Sequence, residues 1–221
     1  MKKKKKILVI APHPDDESIG CGGTILKYRK LGYEVNLAIF TKMPAGKFSK
    51  KKIEIRKREI LKIKSFYNFK NFIQLEYEAS NLDNLPNAKI IQSIKEILNK
   101  YEPSRIYIPS IKDIHTDHVK ISRCFLSCIK IFRHKYLKEV MAYETLSETN
   151  FNFSESFCPN YFEEITSTLN SKIKAIQIYK SEIKKHPFPR SIESIKALAV
   201  LRGSQSGYKF AEAFELIFSR K

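Results

Sequence analysis

A compact group of titratable side chains follows an apolar run near the start of the 221-residue chain, in the stretch Ile7–Glu17. The run Ile7–Ala11 is rich in β-branched residues, which is typical of a buried strand in a parallel sheet. Pro12 and Pro14 end this strand, because proline cannot donate a ladder hydrogen bond. The side chains next to them are expected on the loop at the carboxyl end of the strand, where open α/β sheets bind ligands. They are His13, Asp15, Asp16 and Glu17.

The residue types on this loop favour a metal site. Divalent ions bind imidazole and carboxylate groups, and His13 and Asp16 can converge on one ion while Pro14 stiffens the turn between them. Asp15 is then free beside the ion, in the place of a general base for water. The alternative is a charged surface turn that begins a helix. Three adjacent acids would repel one another without a cation, which favours the metal site.

A second group of titratable residues, Asp113–His118, follows the strand predicted at Arg105–Pro109. His118 can supply a third ligand, which gives two histidines and one carboxylate with an open position for water. His115 can face the substrate rather than the ion, and Asp117 can hold an imidazole in one tautomer. Asp117 can also be the N-cap of the helix predicted to start at His118. Two such groups at matching strand ends indicate one site.

Strand and helix patterns alternate along the chain and predict the elements that position these groups. Strands are predicted at Ile7–Ala11, Glu34–Thr41, Phe72–Leu75 and Arg105–Pro109. A glycine-rich turn at 20–23 is expected to lead into a helix from Thr24 to Leu31. The lysine-rich stretch 42–52 is expected to be either a flap over the site or a solvated surface loop. This alternation predicts an α/β fold, a Rossmann-like three-layer sandwich with a mainly parallel sheet and helices on both faces.

The composition fits one globular domain with a large positive charge. Hydrophobic residues make up 43% of the chain and charged residues 29%, and the formal net charge is +18. A nucleic acid or an acidic membrane surface is one explanation of such a charge. The basic residues are dispersed, however, apart from Lys2–Lys6 and Lys47–Arg58, and we therefore predict no nucleic-acid partner.

The apolar and cysteine patterns bear on where the protein resides. The basic start Lys2–Lys6 looks like the beginning of a signal peptide, but the apolar run behind it is too short for one. No apolar stretch reaches the roughly 18 residues of a spanning helix, so no membrane span is expected. The four cysteines show no paired Cys-x-x-Cys spacing, and Cys124 and Cys128 are expected in a helix core. A cytoplasmic location is predicted.

The two site motifs together resemble those of the LmbE-like, or PIG-L-like, family of metal-dependent deacetylases. They read Pro-His-Pro-Asp-Asp-Glu at 12–17 and His-Thr-Asp-His at 115–118. Four further stretches also resemble sequences of this family and extend the resemblance over nearly the whole chain. They lie at 141–144, 159–162, 179–181 and 202–214. The resemblance implies a single deacetylase domain over residues 1–221 that removes the acetyl group from an N-acetylglucosamine-type sugar. It also implies one zinc, or another divalent metal, per chain.

The resemblance also assigns roles to residues of this sequence. It implies metal ligands at His13, Asp16 and His118, a general base at Asp15, and at His115 a group that stabilises or protonates the reacting amide. Arg56 matches a substrate-contacting arginine on the helix after the second strand. Two departures stand out: Thr116 occupies a position where proline is common in the family, and a tyrosine that some members use near the oxyanion has no clear match.

Further along the chain, Arg190 is the last residue of a loop with two prolines, His186–Arg190. It can meet an anionic group of the substrate or be an ordinary surface arginine. The substrate itself is open between a free N-acetylated amino sugar and one linked to a nucleotide or a lipid. A homo-oligomer is also open.

Two other functions compete with the hydrolase. A nucleotide-binding oxidoreductase needs G-x-G-x-x-G directly after the first strand, and here His13–Glu17 occupies that place. Its carboxylates would repel a pyrophosphate. A nucleic-acid-binding module rests on the net charge alone, and the sequence shows no basic face with interleaved aromatics. Neither function explains two groups of metal-ligating residues.

Overall fold

One seven-stranded sheet runs through the protein. A computed structural model describes residues 5–221. The sheet order is β3-β2-β1-β4-β5-β7-β6, with the first five strands parallel and β7 antiparallel to both of its neighbours. The mainly parallel sheet expected from the sequence is therefore confirmed. The strands are β1 (Lys6–Ala11), β2 (Glu34–Lys42), β3 (Asn71–Glu78), β4 (Arg105–Pro109), β5 (Glu139–Tyr143), β6 (Tyr161–Glu164) and β7 (Ala211–Ser219).

Six α-helices cover the sheet within the described residues. They are α1 (Asp16–Lys30), α2 (Lys50–Tyr67), α3 (Asn87–Tyr101), α4 (Thr116–Cys128), α5 (Leu169–Ile176) and α6 (Ile192–Ser206). Strand β1 alternates between two buried cores because successive side chains of a strand point to opposite faces. Ile7 and Val9 pack with residues of α1, α2 and α5, whereas Leu8 and Ile10 pack with residues of α3 and α4. The expected three layers are thus present.

The sheet order brings the two groups of titratable residues together. Strands β1 and β4 are parallel neighbours, with Ile7 opposite Arg105 and Val9 opposite Tyr107. The chain runs outward from β1 through β2 and β3 on one side, and from β4 through β5 on the other. The strand order therefore reverses its direction between β1 and β4. Ligands bind at such topological switch points, outside the carboxyl ends of the strands. The loops after β1 and β4 therefore face one crevice.

Helix α1 begins eight residues earlier than the sequence predicted. The expected turn through Gly20 and Gly23 is wrong, because both glycines lie inside α1 and the helix starts at Asp16. A Cβ at Gly20 would overlap the buried Tyr143 ring, and one at Gly23 would lie 2.7 Å from Ile165 Cγ2. The glycines thus allow the helix to pack closely on its neighbours, and tertiary contacts outweigh their low helix propensity.

The structure also describes the cysteines and the apolar character of the helices within residues 5–221. Cys124 and Cys128 are buried in α4, as expected, and their thiols are free. None of the helices in the described part of the chain is long and apolar enough to cross a bilayer. The first three lysines of Lys2–Lys6 lie outside the described residues.

Replacing Gly20 by alanine should destabilise the fold. On an exposed helix face this substitution would be favourable, because alanine has the higher helix propensity. Here the new methyl group meets the fully buried Tyr143 ring, whose hydroxyl is fixed by a 2.9 Å hydrogen bond to the Ile10 carbonyl oxygen. We expect Gly20→Ala to lower the free energy of unfolding by about 1–3 kcal/mol, the usual range for overpacking. Urea denaturation measures it.

Lys30→Ala, at an exposed position of the same helix, is the matched control. Surface substitutions of this kind usually change stability by less than about 0.5 kcal/mol. If the Gly20→Ala protein were as stable as the control, α1 would not need its close approach to the Tyr143 ring.

Candidate metal centre

Three potential ligand atoms converge where the loops after β1 and β4 meet. His13 Nδ1 lies 3.1 Å from His118 Nε2, and Asp16 Oδ2 lies 3.3 Å from the former and 3.2 Å from the latter. Tetrahedral zinc with bonds of about 2.0–2.1 Å requires ligand separations of about 3.3 Å. The three ligands predicted from the sequence therefore form a triangle of the size that a divalent ion needs.

The electrostatics of the triangle also call for a cation. Burial alone would lower the pKa of His13, but hydrogen bonds to Asp117 and Asp16 outweigh it and raise that pKa to about 9. Burial likewise opposes the charge of His118, yet the Asp16 carboxylate and a hydrogen bond to Asp113 raise its pKa to about 10. Asp16 Oδ1 is buried without a hydrogen-bond partner in residues 5–221. The residues present thus fit a divalent ion, which would satisfy the same lone pairs as these protons.

Each of the two imidazoles is oriented by an outer carboxylate. His118 Nδ1 lies 2.9 Å from Asp113 Oδ2, and His13 Nε2 lies 3.0 Å from Asp117 Oδ2. Metal-ligating histidines commonly use their second nitrogen in this way, which fixes the tautomer and the ring orientation. Asp117 thus holds an imidazole, as the sequence suggested, whereas Asp113 had been given no role. The signal for Asp113 was a carboxylate shortly after β4, five residues before the candidate ligand His118.

Asp117 is not the N-cap of α4, so that alternative is wrong. The N-cap is His115, whose Nδ1 accepts a 3.1 Å hydrogen bond from the Asp117 backbone N–H. The carboxylate of Asp117 instead points away from the helix backbone and accepts from the backbone N–H groups of Ser80 and Leu82, at 2.6 and 3.1 Å. Asp117 therefore ties the segment after β3 to the triangle of candidate ligands.

His115 lies beside the triangle as a neutral donor. Its ring centroid is 4.4 Å from that of His13 and 4.9 Å from that of His118. Burial, together with the charges of the neighbouring His13 and His118, lowers its pKa to about 4. Because Nδ1 accepts from a backbone N–H, the proton of the neutral ring is assigned to Nε2. That nitrogen makes no hydrogen bond within residues 5–221 and is free to donate to a ligand.

His115 also offers a second possible ligand set. One ring nitrogen from each of His13, His115 and His118 lies within 4.8 Å of the others. The triangle that includes Asp16 is tighter, with edges of 3.1–3.3 Å, and it leaves His115 as the N-cap of α4. The tighter triangle is therefore the better cage for an ion.

Asp15 lies in a strained backbone conformation next to the triangle. Its φ of 126° falls in the region that favours glycine, and such strain costs about 1–3 kcal/mol. The conformation is supported by Glu17, a buried residue that sequence reasoning gave no role: its Oε2 accepts from the Asp15 N–H at 3.1 Å, and its Oε1 accepts from the Tyr179 hydroxyl at 3.0 Å. Burial raises the pKa of Asp15 to about 7, although the charge of Arg190 opposes this rise. The carboxyl group can thus gain or lose a proton near neutrality.

The two predicted substrate arginines both contact the site loop. Arg190 donates through NH1 to Asp15 Oδ2 at 2.8 Å, and through Nε and NH2 to Ser147 Oγ and Glu148 Oε1 at 2.6 and 3.1 Å. Arg56 is buried and donates through NH1 to the Pro14 carbonyl oxygen at 2.8 Å. Their contact with substrate stays a prediction, since in this structure both guanidinium groups are bonded to the protein.

A cleft opens next to the triangle and reaches the loop between β2 and α2. It has a volume of about 310 Å³. Met43 and Phe48 line it, so part of the predicted lysine-rich loop borders the site, and its action as a flap stays a prediction. The other lining residues are His13, Pro14, Asp15, Thr41, Lys42, Arg56, Ala79, Ser80, His115, Glu148, Glu182 and Arg190.

Comparison with protein families places this site in a known context. The model of the family PIG-L, described as GlcNAc-PI de-N-acetylase, matches residues 8–129, which is more than half of the chain and includes both site loops. The chain belongs to the PIG-L family. The resemblance that the two motifs indicated is therefore confirmed. Thr116 stands inside the matched region and removes none of the converging ligand atoms.

Individual proteins and solved structures match the chain at low sequence identity. A diacetylchitobiose deacetylase from Thermococcus kodakarensis is 23% identical over 232 residues, which cover 96% of this chain and 83% of the relative. The structure of N,N'-diacetylchitobiose deacetylase from Pyrococcus horikoshii, in complex with its inhibitor MPG, matches with a TM-score of 0.78 and 22% identity, over 98% of this chain and 85% of that one. The 4-carboxy-2-hydroxymuconate hydratase from Pseudomonas putida matches with a TM-score of 0.75 and 17% identity, over 98% of both chains. The same fold thus carries two reaction types, and the function must be argued from the site.

Replacing Asp113 by asparagine should weaken metal binding without unfolding the protein. The change removes the negative charge that His118 Nδ1 meets at 2.9 Å, while the side chain keeps its size. Loss of such an outer partner typically costs 10- to 100-fold in metal affinity. Competition with a chromophoric chelator measures the zinc dissociation constant. The exposed Asp83 supplies the control, Asp83→Asn, and equal affinities in the two variants would contradict the role given to Asp113.

Proposed function

We propose that the chain is a zinc-dependent N-deacetylase that hydrolyses the acetamide of an N-acetylglucosamine-type sugar. His13, Asp16 and His118 are the proposed ligands of one ion per chain. Asp15 is the proposed general base and His115 the proposed donor to the reacting carbonyl oxygen, with Asp117 orienting His13. Arg56 and Arg190 are the proposed substrate-binding residues. Family membership and the deacetylase relatives support the reaction type.

The observation that carries the proposal is one arrangement of five side chains. Three potential ligand atoms lie 3.1–3.3 Å apart. A carboxyl with a pKa near 7 and a neutral imidazole, Asp15 and His115, flank them in the same cleft. Metal-assisted amide hydrolysis needs a bound Lewis acid, a base for water and a donor for the developing oxyanion, and these side chains can hold the first and supply the other two.

The ion, when bound, polarises an amide carbonyl and acidifies water. Asp15 takes a proton from the attacking water as its oxygen adds to the acetyl carbon. His115 donates from Nε2 to the carbonyl oxygen as negative charge develops there. The C–N bond then breaks, Asp15 returns the proton to the leaving nitrogen, and acetate and the free amino sugar are released.

The charged surroundings of Asp15 suit this exchange of protons. Burial favours its neutral form, whereas the Arg190 guanidinium at 2.8 Å favours the carboxylate. A base near neutrality can both take a proton from water and give it back to an amine. Arg190 also keeps one carboxylate oxygen oriented, so the other is the one available to water.

The arrangement of these side chains does not determine which group is attached to the sugar. The cleft of about 310 Å³ suits a sugar unit and is open at its rim, which accommodates a free amino sugar or one linked to a nucleotide or a lipid. A cytoplasmic location stays a prediction, and a homo-oligomer stays open. The nucleotide-binding oxidoreductase is not supported, because buried carboxylates occupy the place where a pyrophosphate would bind.

The zinc-loaded protein should release acetate from at least one N-acetylated amino sugar, and a chelator should abolish the release. Suitable candidates are N-acetylglucosamine, N,N'-diacetylchitobiose, and nucleotide-linked and lipid-linked N-acetylglucosamine. Asp15→Asn should keep about one equivalent of zinc and lose most activity, because the base and not a ligand is removed. His118→Ala should lose both zinc and activity. Metal analysis and an acetate assay on the same preparations measure the two quantities.

Equal zinc loss in the two variants would show that Asp15 is a ligand rather than a base. A protein that stays free of metal after zinc is added would refute the centre itself. Full zinc occupancy with no acetate released from any member of the panel would refute deacetylation of these sugars while leaving the metal centre intact.

His115→Ala should lower kcat far more than zinc occupancy. The proposed hydrogen bond from Nε2 strengthens only as charge develops on the oxygen, and loss of one such donor typically costs about 10²–10³ in kcat. KM should change little, because the ground-state amide is neutral. Steady-state kinetics together with metal analysis separate these effects.

His115→Asn tests whether the loss instead reflects the helix cap. Asparagine is a good N-cap residue and can accept from the Asp117 N–H, but its side chain is shorter than histidine. The asparagine variant should therefore fold normally and remain as slow as the alanine variant. Recovery of the rate in His115→Asn would make His115 a structural cap, and loss of zinc in both would make it a ligand.

A further inference from the structure

A second concave site, the basic pocket, lies between α3 and the end of α4. Its volume is about 510 Å³. The lining residues are Ile91, Lys95, Asn99, Ser127, Cys128, Lys130, Arg133 and His134. This set contains two lysines and an arginine, and no aspartate or glutamate. The metal centre contributes none of these residues.

Local structure explains how the basic pocket is built. Ile91, Lys95 and Asn99 are spaced by four residues and therefore lie along one face of α3. Opposite them, the end of α4 supplies Ser127 and Cys128, and the turn that follows supplies Lys130, Arg133 and His134. The two sides approach each other at the floor, where the buried Cys128 Sγ lies 3.9 Å from the Ile91 carbonyl oxygen. The cations thus stand around a concave surface rather than along a flat stripe.

The positive charge of the basic pocket is not neutralised by the protein. Within residues 5–221, the side chains of Lys95, Lys130 and Arg133 make no ion pair and donate no hydrogen bond. Five other arginines are paired with carboxylates, namely Arg56, Arg58, Arg105, Arg190 and Arg202. Arg29, Arg123 and Arg220 form no such pair in residues 5–221. Three like charges around one cavity repel one another, and an anion placed among them relieves that repulsion.

Capping of α4 does not account for these cations. Basic side chains near the end of a helix often donate to its last carbonyl groups. The side chains of Lys130 and Arg133 donate to none of the described carbonyl groups. The Arg133 guanidinium instead lies 5.3 Å from the centroid of the neighbouring Phe132 ring, which supports one of its faces and leaves its N–H edge unbonded. Asn99 adds an amide that makes no side-chain hydrogen bond in residues 5–221.

We propose that the basic pocket binds a small molecule through a phosphate or diphosphate group. A guanidinium fork matches phosphate oxygens in a bidentate way, and the two lysines add point charges. The volume falls within the range of roughly 300–1,000 Å³ that is typical of small-molecule sites. The concave shape and the dispersal of the other basic residues favour a small anion over a polynucleotide.

The basic pocket is separate from the metal centre. Helix α4 starts beside the centre, at the N-cap His115, and reaches the basic pocket with its last residue, Cys128. Thirteen helical residues span about 20 Å. A phosphate bound in the basic pocket therefore cannot contact His13, Asp16 or His118, and the proposal does not depend on the reaction that the centre performs.

Titration calorimetry of the zinc-loaded protein with inorganic pyrophosphate tests this proposal. We expect one pyrophosphate per chain, and at least tenfold weaker binding by the double variant Lys130→Ala/Arg133→Ala. The control is Lys62→Ala/Lys196→Ala, which removes the same charge at exposed positions of α2 and α6 and should bind within twofold of the unmodified protein. Zinc content and thermal unfolding, measured for every preparation, show that the variants are loaded and folded.

Each other outcome contradicts the proposal in a defined way. No binding at millimolar pyrophosphate refutes it directly. Equal weakening in both double variants indicates a diffuse effect of net charge. Binding that survives in Lys130→Ala/Arg133→Ala but disappears when zinc is chelated places the anion at the metal centre. Binding of a short oligonucleotide without binding of pyrophosphate assigns the basic pocket to nucleic acid.

Discussion

The meeting of two imidazole nitrogens and one carboxylate oxygen at a buried point is the constraint on which the site depends. His13, His118 and Asp16 place their facing atoms 3.1–3.3 Å apart. Without a shared cation, the two nitrogens would point lone pairs at each other and at a negative oxygen. Burial makes this more costly, since water cannot separate the groups. The arrangement is therefore stable only around a proton or a metal ion, and much of the surrounding structure serves to maintain it.

That maintenance comes from elements far apart in the sequence. Asp113 and Asp117, both at the start of α4 or just before it, hold the two imidazoles from behind. Glu17 supports the strained Asp15 backbone and is itself bonded to Tyr179, 162 residues along the chain. Arg56 on α2 donates a hydrogen bond to the Pro14 carbonyl oxygen. Strain at the loop after β1 persists because these contacts leave it no relaxed alternative.

The sequence predicted the parts of this site that depend on local pattern. Buried strands that end in proline marked where the loops begin, and the rule that parallel strands carry ligands at their carboxyl ends brought 12–17 and 115–118 together. The pairing of Asp113 with His118, and of Arg190 with Asp15, was not predictable in the same way. These are contacts between side chains, 5 and 175 residues apart, and no periodicity encodes which oxygen a nitrogen will meet.

The mistaken start of α1 has a related cause. Glycine is a poor helix former, so Gly20, Gly22 and Gly23 indicated a turn. In the folded protein the missing side chains allow α1 to lie against Tyr143 and Ile165, and burial over the whole helix outweighs the local propensity. The first residue of this closely packed helix is Asp16, so the packing of α1 also positions the carboxylate that follows the loop after β1. Helix propensity failed as a guide here because close packing of α1 requires glycine at these positions.

Asp15 and Asp16 are adjacent, but different charged groups surround them, and this explains why their chemistry differs. Asp16 faces His118 and His13, and their positive charge holds its pKa well below the usual range despite complete burial. Asp15 points the other way, toward Arg190, and burial prevails, so its pKa rises to about 7. One carboxylate is thereby fixed as an anion that can bind a cation, and its neighbour is left able to exchange a proton. Backbone geometry makes the division possible: the unusual φ of 126° at Asp15 turns successive side chains to different partners, and this is a reason for the protein to tolerate the strain.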